Sequence, residues 1–439
     1  MGVKIVIIGG GSSYTPEIIE GFIDRYEEMP VDKVVLVDIP DGLEKLNVIT
    51  NLSERMIRRS KKSISIEQTM DLEEALQGAD FVTTQIRVGG LEARAADERI
   101  PLQEGLVGQE TNGAGGVFKA FRTIPVLINI ADSVSEICPN AWLINFTNPA
   151  GIVTEAIIKH SKHKKVIGVC NIPFNMRNGV AEMFNVPVQK VQIEFIGLNH
   201  FIFGRKVMVN GEDRTQETIE KMIIHDQNYS PANIVSLGWK PELLRSLGML
   251  PNPYHQYYFQ TSDVIKKDLN DLNNQGTRAE TVQRVEADLF KRYRDLKLNE
   301  KPKELEQRGG AFYSDAACNL IVSIYTNKQD IQTVNTVNHG ALSGLDDDAV
   351  IEVNAMIDKD GPHPIQIGDI PIQIKGLIQR MKNMEELTIK AACSGNYEDA
   401  YLALLMNPLV ADETLAKKIL DQMIEAHHPY LPQFQKRKV

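Results

Sequence analysis

Lys4-Ile-Val-Ile-Ile-Gly-Gly-Gly-Ser-Ser-Tyr-Thr-Pro16 is the stretch on which the fold turns. Lys4–Ile8 is a short apolar run and reads as a buried strand. Gly9, Gly10 and Gly11 follow at once, with Ser12 and Ser13 behind them. Glycines let backbone amides approach a pyrophosphate, and a helix amino terminus then adds partial positive charge. Thr15 is the expected N-cap and Pro16 the first helical position, with the helix running to about Arg25. Lys33–Asp38 reads as the second strand. Asp38 at its end can accept hydrogen bonds from an adenosine ribose and would repel a 2′-phosphate, which favours NAD over NADP. Tyr14 stands where a third glycine is expected. The motif nevertheless sits between a strand and a helix, as dinucleotide binding requires.

Working outward, strand and helix patterns alternate. Helices are predicted over Leu43–Arg59, after Asp71, over Val117–Cys138 and from Ala150. Strands are predicted over Ser63–Gln68, Asp80–Thr84, Trp142–Asn145 and Val166–Val169. This alternation implies an α/β fold with a doubly wound, Rossmann-like parallel sheet. Residues 1–170 are expected to bind NAD, and residues 171–439 to form a mixed α+β substrate- and metal-binding domain. Arg87 and Arg94 lie near a strand's carboxyl edge, where arginine can grip phosphate bidentately. Arg94 could equally pair with a neighbouring glutamate. Gly105–Gly116 reads as a polar loop lining the cleft. Asn148 could bind a sugar hydroxyl or phosphate, or cap the next helix.

The strand at Val166–Val169 ends in Cys170-Asn-Ile-Pro173, and a later one ends in Gly197-Leu-Asn-His200. Proline cannot continue a central strand, so Cys170 should lie just past a carboxyl edge. A thiol and an imidazole, each following its own strand, could share a divalent ion. Two protein ligands are too few for a closed zinc site and suit an open one completed by substrate oxygens. The bland alternatives are a buried structural cysteine and a hydrogen-bonded histidine.

The 439 residues carry a formal charge of -10 with no long basic run, which argues against nucleic acid as a partner. The four cysteines, Cys138, Cys170, Cys318 and Cys393, are scattered, as expected in a reducing compartment. The first residues lack a signal-peptide pattern. No apolar run approaches the ~18 residues of a membrane span. A cytoplasmic location with no membrane partner is therefore expected. His427 and His428 read as surface residues.

With these pieces in order, the chain resembles glycoside hydrolase family four. The carriers are Gly9–Pro16, Thr147-Asn-Pro149, Cys170–Pro173, Gly197–His200, Pro253-Tyr254 and Thr277-Arg-Ala-Glu280. The resemblance spans nearly the whole chain. It implies NAD- and metal-dependent hydrolysis of phosphorylated glycosides, outside the usual two-carboxylate scheme. Asn171, where related α-glucosidases tend to carry aspartate, points to the 6-phospho-β-glucosidase branch. The resemblance further implies Tyr254 as catalytic base and Asn171 as a catalytic and substrate-contacting position. Arg94, Asn148, Asn171 and Arg278 are implied at the substrate, Cys170 and His200 at the metal. Gly9, Gly10, Gly11, Ser12, Ser13 and Asp38 are expected around NAD, with Ser13 also facing substrate. Mn2+ is the expected metal. The substrate is expected to be a phosphorylated disaccharide or aryl glucoside, and the protein a homodimer or homotetramer. The overall arrangement would resemble that of lactate and malate dehydrogenases. The alternative reading is an NAD-dependent hydroxy-acid dehydrogenase with the same nucleotide domain.

Overall fold

Residues 2–225, 234, 236–308 and 313–434 are described in the computed structural model. In chain order the first elements are β1 (Val3–Ile8), α1 (Thr15–Asp24), β2 (Val31–Val37), α2 (Leu43–Ser60), β3 (Ser65–Thr69) and α3 (Leu72–Leu76). They are followed by β4 (Phe81–Thr84), α4 (Gly90–Gln103), α5 (Gly113–Ile137), β5 (Trp142–Asn145), α6 (Ala150–His160), β6 (Val166–Gly168) and α7 (Ile172–Phe184). The strands are apolar throughout because the sheet is covered on both sides. Ile5 and Ile7 of β1 face one core, Val6 and Ile8 the other. The first core packs against α1, α2 and the helices Arg278–Tyr293 and Tyr313–Thr326. The second packs against α5, α6 and the helix Ile372–Ser394.

The strand order β3-β2-β1-β4-β5-β6 is all parallel, the dinucleotide-binding arrangement. The sheet continues past residue 170. Asp330–Val337 pairs antiparallel with β6, and Val350–Asp358 and Gly361–Pro364 extend the edge to nine strands. Residues from the second half thus pack directly beneath the loop after β6.

β7 (Val191–Leu198) and β8 (Phe201–Val209) form an antiparallel hairpin with Leu198 opposite Phe201. That register leaves only Asn199 and His200 for the turn. Turns this tight need positive φ, and His200 has φ 60° while Gly197 just before it has φ 136°. For a histidine this conformation costs roughly 1–2 kcal/mol, so the surroundings must hold it.

Several expectations are corrected. Tyr14, not Thr15, occupies the N-cap of α1, and the Thr15 hydroxyl instead donates to the Gly10 carbonyl at 2.8 Å. α5 begins at Gly113 rather than Val117. Its glycines pack against the preceding loop, and a Cβ on Gly115 would stand 2.2 Å from the Gln109 carbonyl oxygen. α5 is also long and apolar enough to cross a bilayer, contrary to the expectation of no such run. Its most apolar window is 78% buried inside the fold, so it is spent on the core. His427 is not a surface residue: it is buried, 2.9 Å from Asp97, which also receives a bidentate pair from Arg122.

A Cβ on Gly197 would stand 2.4 Å from the Phe201 carbonyl oxygen. Gly197→Ala is therefore expected to destabilise the protein by about 1–3 kcal/mol and to weaken metal binding through His200. Thermal melting and Mn2+ titration would check this.

Candidate active site

The loops leaving β1, β4, β5 and β6 converge at one edge of the sheet, where open α/β sheets take ligands. The loop after β1 is glycine because other atoms crowd it. A Cβ on Gly9 would stand 2.8 Å from the Gln85 carbonyl oxygen, and one on Gly10 2.7 Å from Leu36. Asp38 accepts the Gly11 and Ile39 N–H groups at 2.8 and 2.9 Å, with lone pairs left for hydroxyls. The Ser12 hydroxyl accepts from Tyr14 N–H at 3.3 Å. Ser13 is buried, its hydroxyl 3.4 Å from Glu286 and its carbonyl accepting the Tyr293 hydroxyl at 2.9 Å. Both partners lie on the Arg278–Tyr293 helix, so the second half of the chain clamps the glycine loop. Beside it opens a cleft of about 650 Å3 lined by Lys45, Gly89, Glu286, Phe290 and Arg294. That size suits a cofactor. A tight glycine turn, a helix amino terminus, a carboxylate and an adjoining cleft together fit a dinucleotide.

Cys170 lies between β6 and α7. Its sulfur receives the N–H groups of Asn171 and Ile172 and the side-chain amide of Asn199. Three donors at a helix amino terminus favour a thiolate. Complete burial, aided by the Glu352 carboxylate, outweighs them and pushes the thiol up. A divalent cation would reverse that balance. Burial pushes His200 down to about 3, which leaves a neutral imidazole able to ligate. The Tyr254 ring stacks on His200 with centroids 4.1 Å apart and planes 20° apart. Burial pushes the Tyr254 phenol well above its usual range, and Cys170 adds to this, so thiol, imidazole and phenol share one site. Among the described residues no three or more His, Cys, Asp or Glu side chains could hold a metal together. The Cys170–His200 pair is thus an open donor set, and its sulfur and nitrogen fit a transition-metal ion.

Tyr254 is held firmly. Asn252 caps its 3-10 turn by accepting Tyr254 N–H at 2.7 Å, and its amide donates to the Ile202 carbonyl on β8 at 2.9 Å. Thr111 hydrogen-bonds the phenol. Tyr258 points elsewhere, accepting from Asn112 at 2.9 Å, while Tyr257 stands 6.0 Å from Tyr254.

The arginines gather around Glu110, which pairs with Arg87, with Arg94 at 3.0 Å and with Lys119 at 2.8 Å. Against the cost of burial, these cations hold Glu110 well below the usual carboxylate range. Burial, aided by Arg87, lowers Lys119 to about 7. Arg94 is buried and also pairs with Glu98 at 2.7 Å, so the neighbouring-glutamate reading holds. Glu98 in turn accepts the Ala279 N–H at 2.7 Å. That bond brings the start of the Arg278–Tyr293 helix to Arg94. Burial lowers Arg278 and the positive charge of Arg94 lowers it further. Two arginines within electrostatic reach of one another are a candidate grip for an anion. Asn148 accepts from Ala150 N–H at 3.3 Å, a partial capping role. Asn171 is buried at the amino end of α7.

Sequence reasoning did not single out Glu110, Lys119, Asn199 or Glu352. Glu352 accepts from Asn199 at 3.3 Å, from Asn335 at 3.0 Å and from the His200 backbone N–H, and burial raises it to about 8. It thereby holds both the strained His200 turn and the amide that reaches Cys170. A lone carboxylate in the apolar run from Val350 to Ile357 was the available signal.

Fold and site fit a class: a dinucleotide-binding α/β enzyme with a thiol and an imidazole as candidate metal ligands. Comparison with known proteins makes this specific. Residues 4–186 match the Family 4 glycosyl hydrolase model, and residues 195–410 its C-terminal domain. The chain belongs to this family. It is 52% identical to a probable 6-phospho-beta-glucosidase of Bacillus subtilis, covering 99% of this chain and 98% of that protein. It is 45% identical to a 6-phospho-beta-glucosidase of Escherichia coli, covering 98% and 97%. A Thermotoga maritima 6-phospho-beta glucosidase solved with manganese, NAD+ and glucose-6-phosphate superposes with TM-score 0.88 at 34% identity, covering 98% and 99%. A lactate dehydrogenase from Cryptosporidium parvum superposes with TM-score 0.55 at 16% identity, which shows the shared fold alone.

Because Cys170 is a protonated thiol when free and His200 is already neutral, ion binding should release one proton. Mn2+ affinity is expected to rise about tenfold per pH unit near neutrality. Cys170→Ser should weaken binding and flatten that slope. Calorimetric titration at several pH values would check both.

Proposed function

We propose that this protein hydrolyses 6-phospho-β-glucosides, such as phosphorylated cellobiose or aryl β-glucosides, to glucose 6-phosphate and the aglycone. The observation that carries this reading is near-full-length similarity to proteins of that name. NAD and a divalent ion, Mn2+ foremost, are the cofactors, matching those of the Thermotoga maritima structure. When bound, they supply a hydride acceptor for sugar C3 and polarisation of the C2 and C3 oxygens.

The chain's own residues do the rest. Gly9, Gly10, Gly11 and Ser12 line the pyrophosphate turn, and Asp38 takes the ribose. Ser13, gripped by the Arg278–Tyr293 helix, sets the loop against the substrate side. Cys170 and His200 hold the ion. Arg94 and Arg278 grip the sugar phosphate, and Asn148 and Asn171 orient its hydroxyls. Tyr254 removes the C2 proton at its phenolic oxygen. A phenol this buried is a poor base alone, and a cation beside the ring it stacks on would lower it. Asn171 has no acidic proton to give, so its catalytic part is to place the substrate. Elimination of the aglycone, addition of water at C1 and reversal of the oxidation complete a redox-neutral hydrolysis. The hydroxy-acid dehydrogenase alternative has only the common fold behind it. The same reading places the protein in the cytoplasm as a homodimer or homotetramer, which light scattering would size.

Release of nitrophenol from its 6-phosphorylated β-glucoside is expected only with NAD+ and Mn2+ both present, and without accumulation of NADH. Release from the α-anomer instead would overturn the β assignment. Tyr254→Phe is expected to lower kcat about 10²–10⁴-fold with Mn2+ affinity nearly unchanged. Near-normal turnover would move the base to Tyr257 or another group.

A further inference from the structure

A small cavity lies beside the metal pair, lined by Asn112, Asn199, His200, Tyr258, Glu385 and Asn407 along with apolar groups. Its volume of about 20 Å3 is enough to admit a water molecule. Its lining is polar in a directed way. Asn407 is 1% exposed, and its amide oxygen accepts Leu409 N–H at 3.0 Å, which fixes the orientation of the amide. The other amide atom, Nδ2, is buried without a hydrogen-bond partner. Such a donor costs about 1–3 kcal/mol if left unsatisfied. Glu385 is 3% exposed and binds Lys382 at 2.6 Å through Oε2, which leaves Oε1 as an acceptor. Tyr258 accepts from Asn112 at 2.9 Å, so its own proton needs an acceptor. Among the described residues the His200 imidazole makes no hydrogen bond, although a metal-bound histidine almost always donates its second ring N–H to a carboxylate, carbonyl or water.

We propose that this cavity binds one structural water, held by Asn407 and Glu385, that orients the imidazole of His200 for metal binding. One water satisfies the whole set. It accepts from Asn407 and from the imidazole, donates to Glu385, and reaches the Tyr258 hydroxyl. Asn407 and Glu385 are thereby positioning residues. They act on the metal through His200 and touch neither substrate nor ion. The inference rests on Cys170 and His200 being the metal ligands, and it assigns a task to two residues far along the chain that the chemistry itself does not use.

The test uses the full-length protein, with Mn2+ alone as the probe. Asn407→Asp keeps the acceptor for Leu409 and removes the donor to the cavity. Glu385→Gln keeps the size and weakens the acceptor. Each is expected to weaken Mn2+ binding about tenfold or more, by calorimetry without substrate, on protein shown to be folded by circular dichroism. A crystal structure of the wild type should show one water within hydrogen-bonding distance of Asn407 Nδ2, Glu385 and His200. Wild-type Mn2+ affinity in both variants, or a cavity without that water, would overturn the inference. If one variant fails to fold, the other and the crystal structure still decide. A wild type that binds no Mn2+ would instead overturn the assignment of Cys170 and His200 on which the inference depends.

Discussion

Burying the Glu110 carboxylate constrains everything around it. A lone carboxylate in this position would be expelled or neutralised. Here Arg87 from the loop after β4, Arg94 from α4 and Lys119 from α5 close on it. Three elements that are separate in sequence are thus pinned at one sheet edge. Arg278, at the start of the Arg278–Tyr293 helix, feels the positive charge of Arg94. On the proposed function, an anionic sugar phosphate entering there would meet an Arg94 guanidinium already held in place, so little side-chain freedom would be lost on binding.

A second buried carboxylate does the same for the metal pair. Glu352 comes from a strand added to the sheet by the far half of the chain. It accepts from the His200 backbone and from Asn199, which in turn reaches the Cys170 sulfur. The left-handed turn at His200 and the thiol at the start of α7 are therefore tied to one anchor. Burial, before any neighbouring group, is what resists a thiolate at Cys170 when no cation is beside it.

The Arg278–Tyr293 helix joins the two ligand sites. Its first turn carries Arg278 and is bonded through Ala279 to Glu98, the partner of Arg94. Its later turns carry Glu286 and Tyr293, which hold Ser13 in the glycine loop. A displacement of this helix would move Arg278 and the glycine loop together. The nine-stranded sheet reinforces that unity, because strands from both halves run through it.

Much of this is legible in the sequence itself. Apolar runs of strand length, a glycine turn between strand and helix, and proline after Cys170 dictated a doubly wound sheet with a thiol at its carboxyl edge. Local chemistry decides such features, since few other conformations suit those residues. Cys170 and His200 are likewise readable as candidate ligands from their chemistry, though not their separation. What only the tertiary structure decided is which charges meet. Glu110 reads as part of a polar loop and His427 as a surface residue, and Glu352 draws no reading at all. Their partners lie from nine to hundreds of residues away, and the cost of burying a charge is settled by those partners rather than by adjacent residues.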